Sequence, residues 1–175
     1  MAILPVLTLP NPILKQHSSP IESVNDQIRK LMDDLVETMY DDNGVGLAAA
    51  QVGVLKRILV IDLQDDDDLE RPKGFYPLFI ANPDIIEKSN EMATAVEGCL
   101  SVPEQRIEVI RPASIKLKFV DYKNNPQELA AEGWLARAIQ HEIDHLNGKL
   151  LVDYLSPIKR DVIMRKLTKL KKRCL

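Results

Sequence analysis

Apolar residues first recur with a helical period, Ile28, Leu31, Met32, Leu35 and Met39 falling on one face. Ser23 or Asn25 is placed to cap this helix. Asp41-Asp42-Asn43-Gly44 is placed to end it, with Gly44 suited to a positive φ. The pattern then shifts to strands. Arg57-Ile58-Leu59-Val60-Ile61-Asp62 reads as a short buried strand, and 78–81 and 85–88 as two strands flanking an Asn82-Pro83-Asp84 turn. Residues 106–110 form another. Along 114–121, Ile115, Leu117 and Phe119 alternate inward with Lys116 and Lys118 outward, and after the Lys123-Asn124-Asn125-Pro126 turn 127–131 returns as a strand. A second helix is predicted over 133–146, ended by Asn147-Gly148. A third follows Ser156-Pro157 and packs a stripe of Ile158, Val162, Leu167 and Leu170. Before all of these, Pro5, Pro10, Pro12 and Pro20 keep the N-terminal segment extended and turn-rich.

Strands and helices are segregated, without a βαβ rhythm, which predicts an α+β fold of mostly antiparallel sheets around the second helix, closed by a C-terminal helix. A chain of 175 residues is expected to form one domain over 1–175, and at 45% hydrophobic it is not disordered. No run of about 18 apolar residues exists to span a membrane. The N-terminus does not read as an export signal, and Cys99 and Cys174 cannot build a disulfide framework, so a reducing, cytoplasmic setting is expected. The charge is uneven. Residues 159–173 hold eight basic side chains against Asp161, a net +7, which leaves −10 for the rest of a chain whose total is −3. Such a tail suits a polyanion or the body's own acidic face. The acidic stretch 65–74 reads as a solvated excursion without assigned function.

The chemistry concentrates in three segments. His141-Glu142-Ile143-Asp144-His145 lies within the predicted second helix, where histidines at i and i+4 share a face. Two such imidazoles can reach one divalent ion at about 2.0–2.1 Å each. Glu142 can then exchange a proton with a water whose pKa the ion lowers from about 15.7 toward about 7. Trp134, Leu135, Ala138, Ile139 and Leu146 are expected to surround these positions with apolar surface. For the third ligand, no His follows His145, and the downstream acids are Asp153, close behind an expected strand, and Asp161. Upstream, Glu97-Gly98-Cys99-Leu100-Ser101 offers the Cys99 thiolate, which completes a Cys-His-His set with one position open, an arrangement typical of catalysis. The other reading of Cys99 is a small buried hydrophobe. The third segment, Gly44-Val45-Gly46-Leu47-Ala48-Ala49-Ala50-Gln51, is neither a P-loop nor a dinucleotide fingerprint. Its small residues let a backbone lie against a ligand, and Gln51 can offer its amide to an oxyanion; a tight turn packed with small residues is the competing reading.

Taken together, the three segments resemble the peptide deformylase family, whose pattern runs G-φ-G-φ-A-A-x-Q, then E-G-C-L-S, then Q-H-E-x-D-H. Here these are Gly44 to Gln51, Glu97 to Ser101 and Gln140 to His145. The resemblance implies that Cys99, His141 and His145 hold a metal, natively Fe²⁺ in many members, with Zn²⁺, Ni²⁺ or Co²⁺ as substitutes. It implies Glu142 as general base and then acid, and Gln51 with the Leu100 N–H as oxyanion donors. Gly46 would hold the substrate chain by strand-like pairing, Val45, Trp134 and Ala138 would line the methionine pocket, and Glu97 and Arg106 would form an ion pair beside it. Trp134 is larger than the aliphatic residue the family carries there. The implied substrate is the N-formyl-methionyl end of a new polypeptide. The resemblance permits contact of the basic tail with the ribosome near the polypeptide exit, and implies neither DNA nor membrane as partner. Alternatives sharing some of these features are an H-E-x-x-H zinc protease, a non-catalytic metal-binding module, and a cysteine hydrolase built on Cys99.

Overall fold

A computed structural model describes residues 2–64 and 71–173. Helix α1 spans Asp26–Asp41. The strands are β1 Gly46–Ala48, β2 Ile58–Ile61, β3 Leu78–Lys88, β4 Met92–Cys99, β5 Val102–Pro112, β6 Ser114–Val120 and β7 Pro126–Glu132. Helix α2 spans Gly133–Leu146 and α3 Pro157–Arg173. Five strands form one antiparallel sheet in the order β1-β2-β3-β6-β7, while β4 and β5 form a separate hairpin. Among the described residues no helix is long and apolar enough to cross a membrane.

One face of the large sheet is covered by α2 and the other, at the β1–β2 end, by α1. The outward Lys116 and Lys118 side chains of β6 stay open to solvent. Strand β2, covered on both sides, shows why its sequence is continuously apolar. Side chains alternate across a strand. Leu59 and Ile61 therefore join Ile80, Leu117, Leu135 and Ile139 in a core beneath α2, while Ile58 and Val60 join Met32, Leu35 and Met39 beneath α1. All four β2 residues are fully buried, and each such side chain contributes about 1.5–3 kcal/mol. A third core packs Val102, Ile107 and Val109 of β5 against Leu9, Leu14, the 3-10 turn Leu151–Tyr154, and Leu167 of α3. The extended N-terminal segment joins the site-bearing loops: the Leu7 N–H donates to the Gln51 carbonyl (2.7 Å) and the Leu9 N–H to that of Ser101 (2.9 Å).

The expected α+β architecture is present, with local corrections. Asn25 caps α1, its side chain accepting from the Ile28 N–H at 3.0 Å. Asn43, at φ 53, takes the left-handed turn expected of Gly44. Gly44 is instead a close-packing position, since a Cβ there would lie 3.1 Å from Leu100 Cδ1. The turn expected at Asn82 is an irregularity within continuous β3. There the Asn82 amide clasps both the N–H and carbonyl of Ile21, at 2.9 and 2.8 Å. The strand expected at 106–110 is longer, because β4 pairs with β5 along nearly its whole length. The strand expected before Asp153 is the 3-10 turn. On α3, Ile158 and Val162 are exposed, and Ile163, Met164, Leu167 and Leu170 form the packing stripe. Cys174 and residues 65–70 of the acidic stretch lie outside the described residues.

Candidate metal centre

The β4–β5 hairpin and α2 bring the distant motifs together. Cys99 ends β4 at a register irregularity and pairs with Val102, so Leu100 and Ser101 form the intervening turn. Its Sγ lies 3.2 Å from His145 Nε2. His141 and His145, one turn apart, have ring centroids separated by 5.1 Å. One ligand atom from each of Cys99, His141 and His145 falls within 4.8 Å of the others. Sulfur and imidazole nitrogen at this separation form a donor set that suits a transition-metal ion, and His145 Nδ1 and Glu142 Oε2 are buried without hydrogen-bond partners. The residues fit a bound divalent ion.

Glu142 sits beside this cluster, 5% exposed, with Oε1 4.0 Å from His141 Nε2. Burial, reinforced by Glu97 and Asp144 and opposed by His141 and Arg111, pushes its carboxyl up to about 7. Its space is made by Gly46. A Cβ on Gly46 would stand 2.7 Å from Glu142 Oε1, so no larger residue fits without moving the carboxylate. Gln51 is fixed at both ends of its buried amide. Its Oε1 accepts from the Ala48 N–H at 2.9 Å, and its Nε2 donates to Ser101 Oγ at 3.1 Å while lying 3.8 Å from Cys99 Sγ. The Ala48 bond orients the amide so that its NH₂ faces the cluster.

Behind His141 lies a buried polar network. Its Nδ1 is 2.9 Å from Glu97 Oε2; an ionised carboxylate only accepts, so Nδ1 carries the proton and Nε2 is turned toward the cluster. Arg111 grips Glu97 bidentately at 2.7 and 2.9 Å, and Arg137 adds a third contact at 2.7 Å. Burial opposes the charge on Glu97, but Arg111, His141 and Arg137 hold its carboxyl far below the usual range. Arg137 also donates to the Val109 and Ala93 carbonyls, fastening α2 to both strands of the hairpin. Burial pulls the His145 ring well below its ordinary value, keeping it neutral. For His141 burial acts the same way, but contacts with Cys99 and Glu97 prevail and raise it.

Two expectations need correction. Arg106 does not pair with Glu97. Glu97 is opposite Ile107, so it shares the inner face of β5 with Ile107, Val109 and Arg111, whereas Arg106 alternates outward. The Arg106 guanidinium lies instead over Gly98, 3.5 Å from where a Cβ would be. Trp134 is 62% exposed rather than part of the apolar wall. Val45 is also exposed, Ala138 is half-buried, and Leu135, Ile139 and Leu146 are buried as expected. The sequence reading did not single out Arg111 or Arg137, and it named Asp144 and Ser101 within motifs without giving them a role. Arg137, one turn before His141, carried the available signal, since a cation on that face needs a buried partner.

The chain is similar to known proteins over nearly its whole length. The sequence model described as polypeptide deformylase matches residues 3–161. A peptide deformylase of Rickettsia canadensis is 64% identical over 171 residues, covering 98% of each chain. A peptide deformylase structure from Ehrlichia chaffeensis superposes with a TM-score of 0.91 at 42% identity, covering 98% of each chain. Another from the same organism, solved in complex with actinonin, gives 0.90 at 44% identity, covering 97% of this chain and 98% of that one.

Proposed function

The chain belongs to the polypeptide deformylase family, and we propose that Cys99, His141 and His145 hold the divalent ion on which its reaction depends. The enzyme removes the N-formyl group from the amino terminus of newly made polypeptides, releasing formate. The observation that carries the site assignment is the convergence of one sulfur and two imidazoles beside a buried, partly unpartnered carboxylate.

When bound, the ion supplies Lewis acidity and makes a water nucleophilic near neutral pH. The chain's own groups do the rest. Glu142 takes the proton of the attacking water and delivers it to the amide nitrogen as the C–N bond breaks. Without that protonation the tetrahedral intermediate reverts. Gln51 Nε2 and the Leu100 N–H meet the charge that develops on the formyl oxygen, each such preorganised donor being worth about 3–4 kcal/mol of barrier. Gly46 offers its backbone to the substrate chain while leaving Glu142 its space. Glu97 holds the His141 ring, fixed in turn by Arg111 and Arg137. Val45, Ala138 and the exposed Trp134 border the substrate side chain, and Arg106 lies beside Gly98 at the same hairpin.

Fe²⁺ is the proposed native ion, with Zn²⁺, Ni²⁺ or Co²⁺ as replacements; a thiolate with two imidazoles accommodates all four. The proposed setting is the cytoplasm. The exposed cations of α3, Lys159, Arg165, Lys166, Lys169, Lys171 and Lys172 among them, support a contact with ribosomal RNA near the polypeptide exit. Glu142→Ala tests the assignment: metal content stays at the wild-type level while formate release from a formyl-Met peptide falls by about 10²–10⁴. Loss of the metal with the carboxylate, or retained turnover, refutes it.

A further inference from the structure

The network behind His141 continues past Arg111 to the protein surface. Arg111 uses Nε and Nη2 on Glu97 and points Nη1 the other way, to Asp144 Oδ2 at 2.8 Å and the Tyr154 hydroxyl at 3.0 Å. Tyr154 donates that hydroxyl to the same Asp144 oxygen at 2.6 Å. Three groups thus close a ring: one guanidinium N–H₂, one carboxylate oxygen and one phenol.

Within the chain running from Tyr154 to His141, the solvent-facing carboxylate is Asp144. Its side chain is 20% exposed, against 4% for Arg111 and 5% for Glu97. Water competes for Asp144, and the short phenol bond keeps its Oδ2 on Arg111. The ring itself is held independently of its hydroxyl. The Lys149 ammonium stands 3.9 Å above its centroid and the Arg111 guanidinium 5.1 Å away. Removing the oxygen alone therefore leaves the ring seated and frees the carboxylate.

We propose that Tyr154 is a positioning residue for His141, acting through Asp144, Arg111 and Glu97, and that its hydroxyl sets how tightly the Cys99–His141–His145 cluster holds a divalent ion. This rests on the assignment of that cluster as the metal site. Residues that orient a metal-bound imidazole typically contribute 10–100-fold in affinity. Tyr154 acts from further out, so its share lies near the lower bound, about tenfold.

The test is equilibrium competition between protein and chelator for Co²⁺, followed by the cobalt–thiolate absorption band. Tyr154→Phe is expected to weaken Co²⁺ binding about tenfold, with KM for a formyl-Met peptide unchanged at saturating metal. Tyr122→Phe serves as control, because Tyr122 donates to Asp33 at 3.1 Å in the core beneath α1, away from the cluster; it should leave the affinity unchanged. In an Asp144→Asn background, Tyr154→Phe should add little, because the route through Asp144 is already broken. An affinity for Tyr154→Phe within twofold of wild type overturns the proposal. So does an equal loss in Tyr122→Phe, which would mark general destabilisation, or full additivity with Asp144→Asn. Failure of the wild-type protein to bind Co²⁺ would instead overturn the metal-site assignment beneath it.

Discussion

Gly46→Ala isolates the demand that catalysis places on one glycine. Gly46 lies in β1, outside the residues with positive φ, so alanine meets no conformational penalty from its backbone. The added methyl, however, would stand 2.7 Å from Glu142 Oε1, 3.0 Å from Cγ and 3.1 Å from Cδ. Ordinary carbon–oxygen contact begins near 3.4 Å, so the carboxylate must retreat by roughly 0.7 Å; packed carbons prefer about 3.5–4.0 Å. The nearest obstacle is the end of a flexible side chain rather than backbone, so the protein can relieve the clash by swinging Glu142 aside. Stability should therefore change by no more than about 1–3 kcal/mol, the range for a modestly overpacked site. Activity should suffer far more, since displacing a reacting group by about 1 Å typically costs about 10²-fold, or roughly 2.7 kcal/mol of barrier. Formate release should show that loss in kcat, with metal content at the wild-type level and a melting temperature lowered by about 2–4 °C for each kcal/mol of stability lost. In a Glu142→Asp background, whose carboxylate is one methylene shorter, the same alanine should cost much less. A Gly46→Ala enzyme with wild-type kcat would refute the claim that this glycine exists to make room for Glu142.

Three further outcomes follow from the packing. Arg137→Met leaves Glu97 short of a buried counter-charge and removes the donor that ties α2 to the Ala93 and Val109 carbonyls; unfolding in urea should show a loss of about 3–5 kcal/mol. Gly148→Ala places a Cβ at φ +70 against the Lys15 carbonyl; the left-handed backbone alone costs about 1–2 kcal/mol, so calorimetry should record a melting temperature at least about 2–4 °C lower. Asp34 is buried, which alone would raise its pKa, but hydrogen bonds from Lys30 and the Ala2 N–H hold it below the ordinary value of 3.8. Its folded pKa being depressed, it contributes stability above the unfolded value that disappears as pH falls through the folded one. Urea midpoints measured from pH 6 down to pH 2 should therefore fall less steeply for Asp34→Asn than for wild type; parallel curves would contradict this.

What the sequence determined by itself was everything set by neighbours along the chain. The helical spacing of Ile28 to Met39, the i, i+4 histidines and the alternation of Ile115, Leu117 and Phe119 follow from backbone periods of 3.6 and 2, which contiguous residues express directly. Donor chemistry offered Cys99 as a third ligand beside His141 and His145, and the resemblance of three motifs to one family favoured that grouping, which no local period contains, over a buried hydrophobe. Only tertiary structure decided which side chains meet across elements. Arg111 rather than Arg106 reached Glu97 because hairpin register fixes the parity of each strand face, and a one-residue difference reverses it. The space beside Glu142 exists because Gly46 comes from a sheet edge packed on α2. Trp134 is exposed although it shares a helix with buried Leu135 and Ile139: position on a helix sets the direction of a side chain, and the neighbouring elements decide whether anything waits there to cover it.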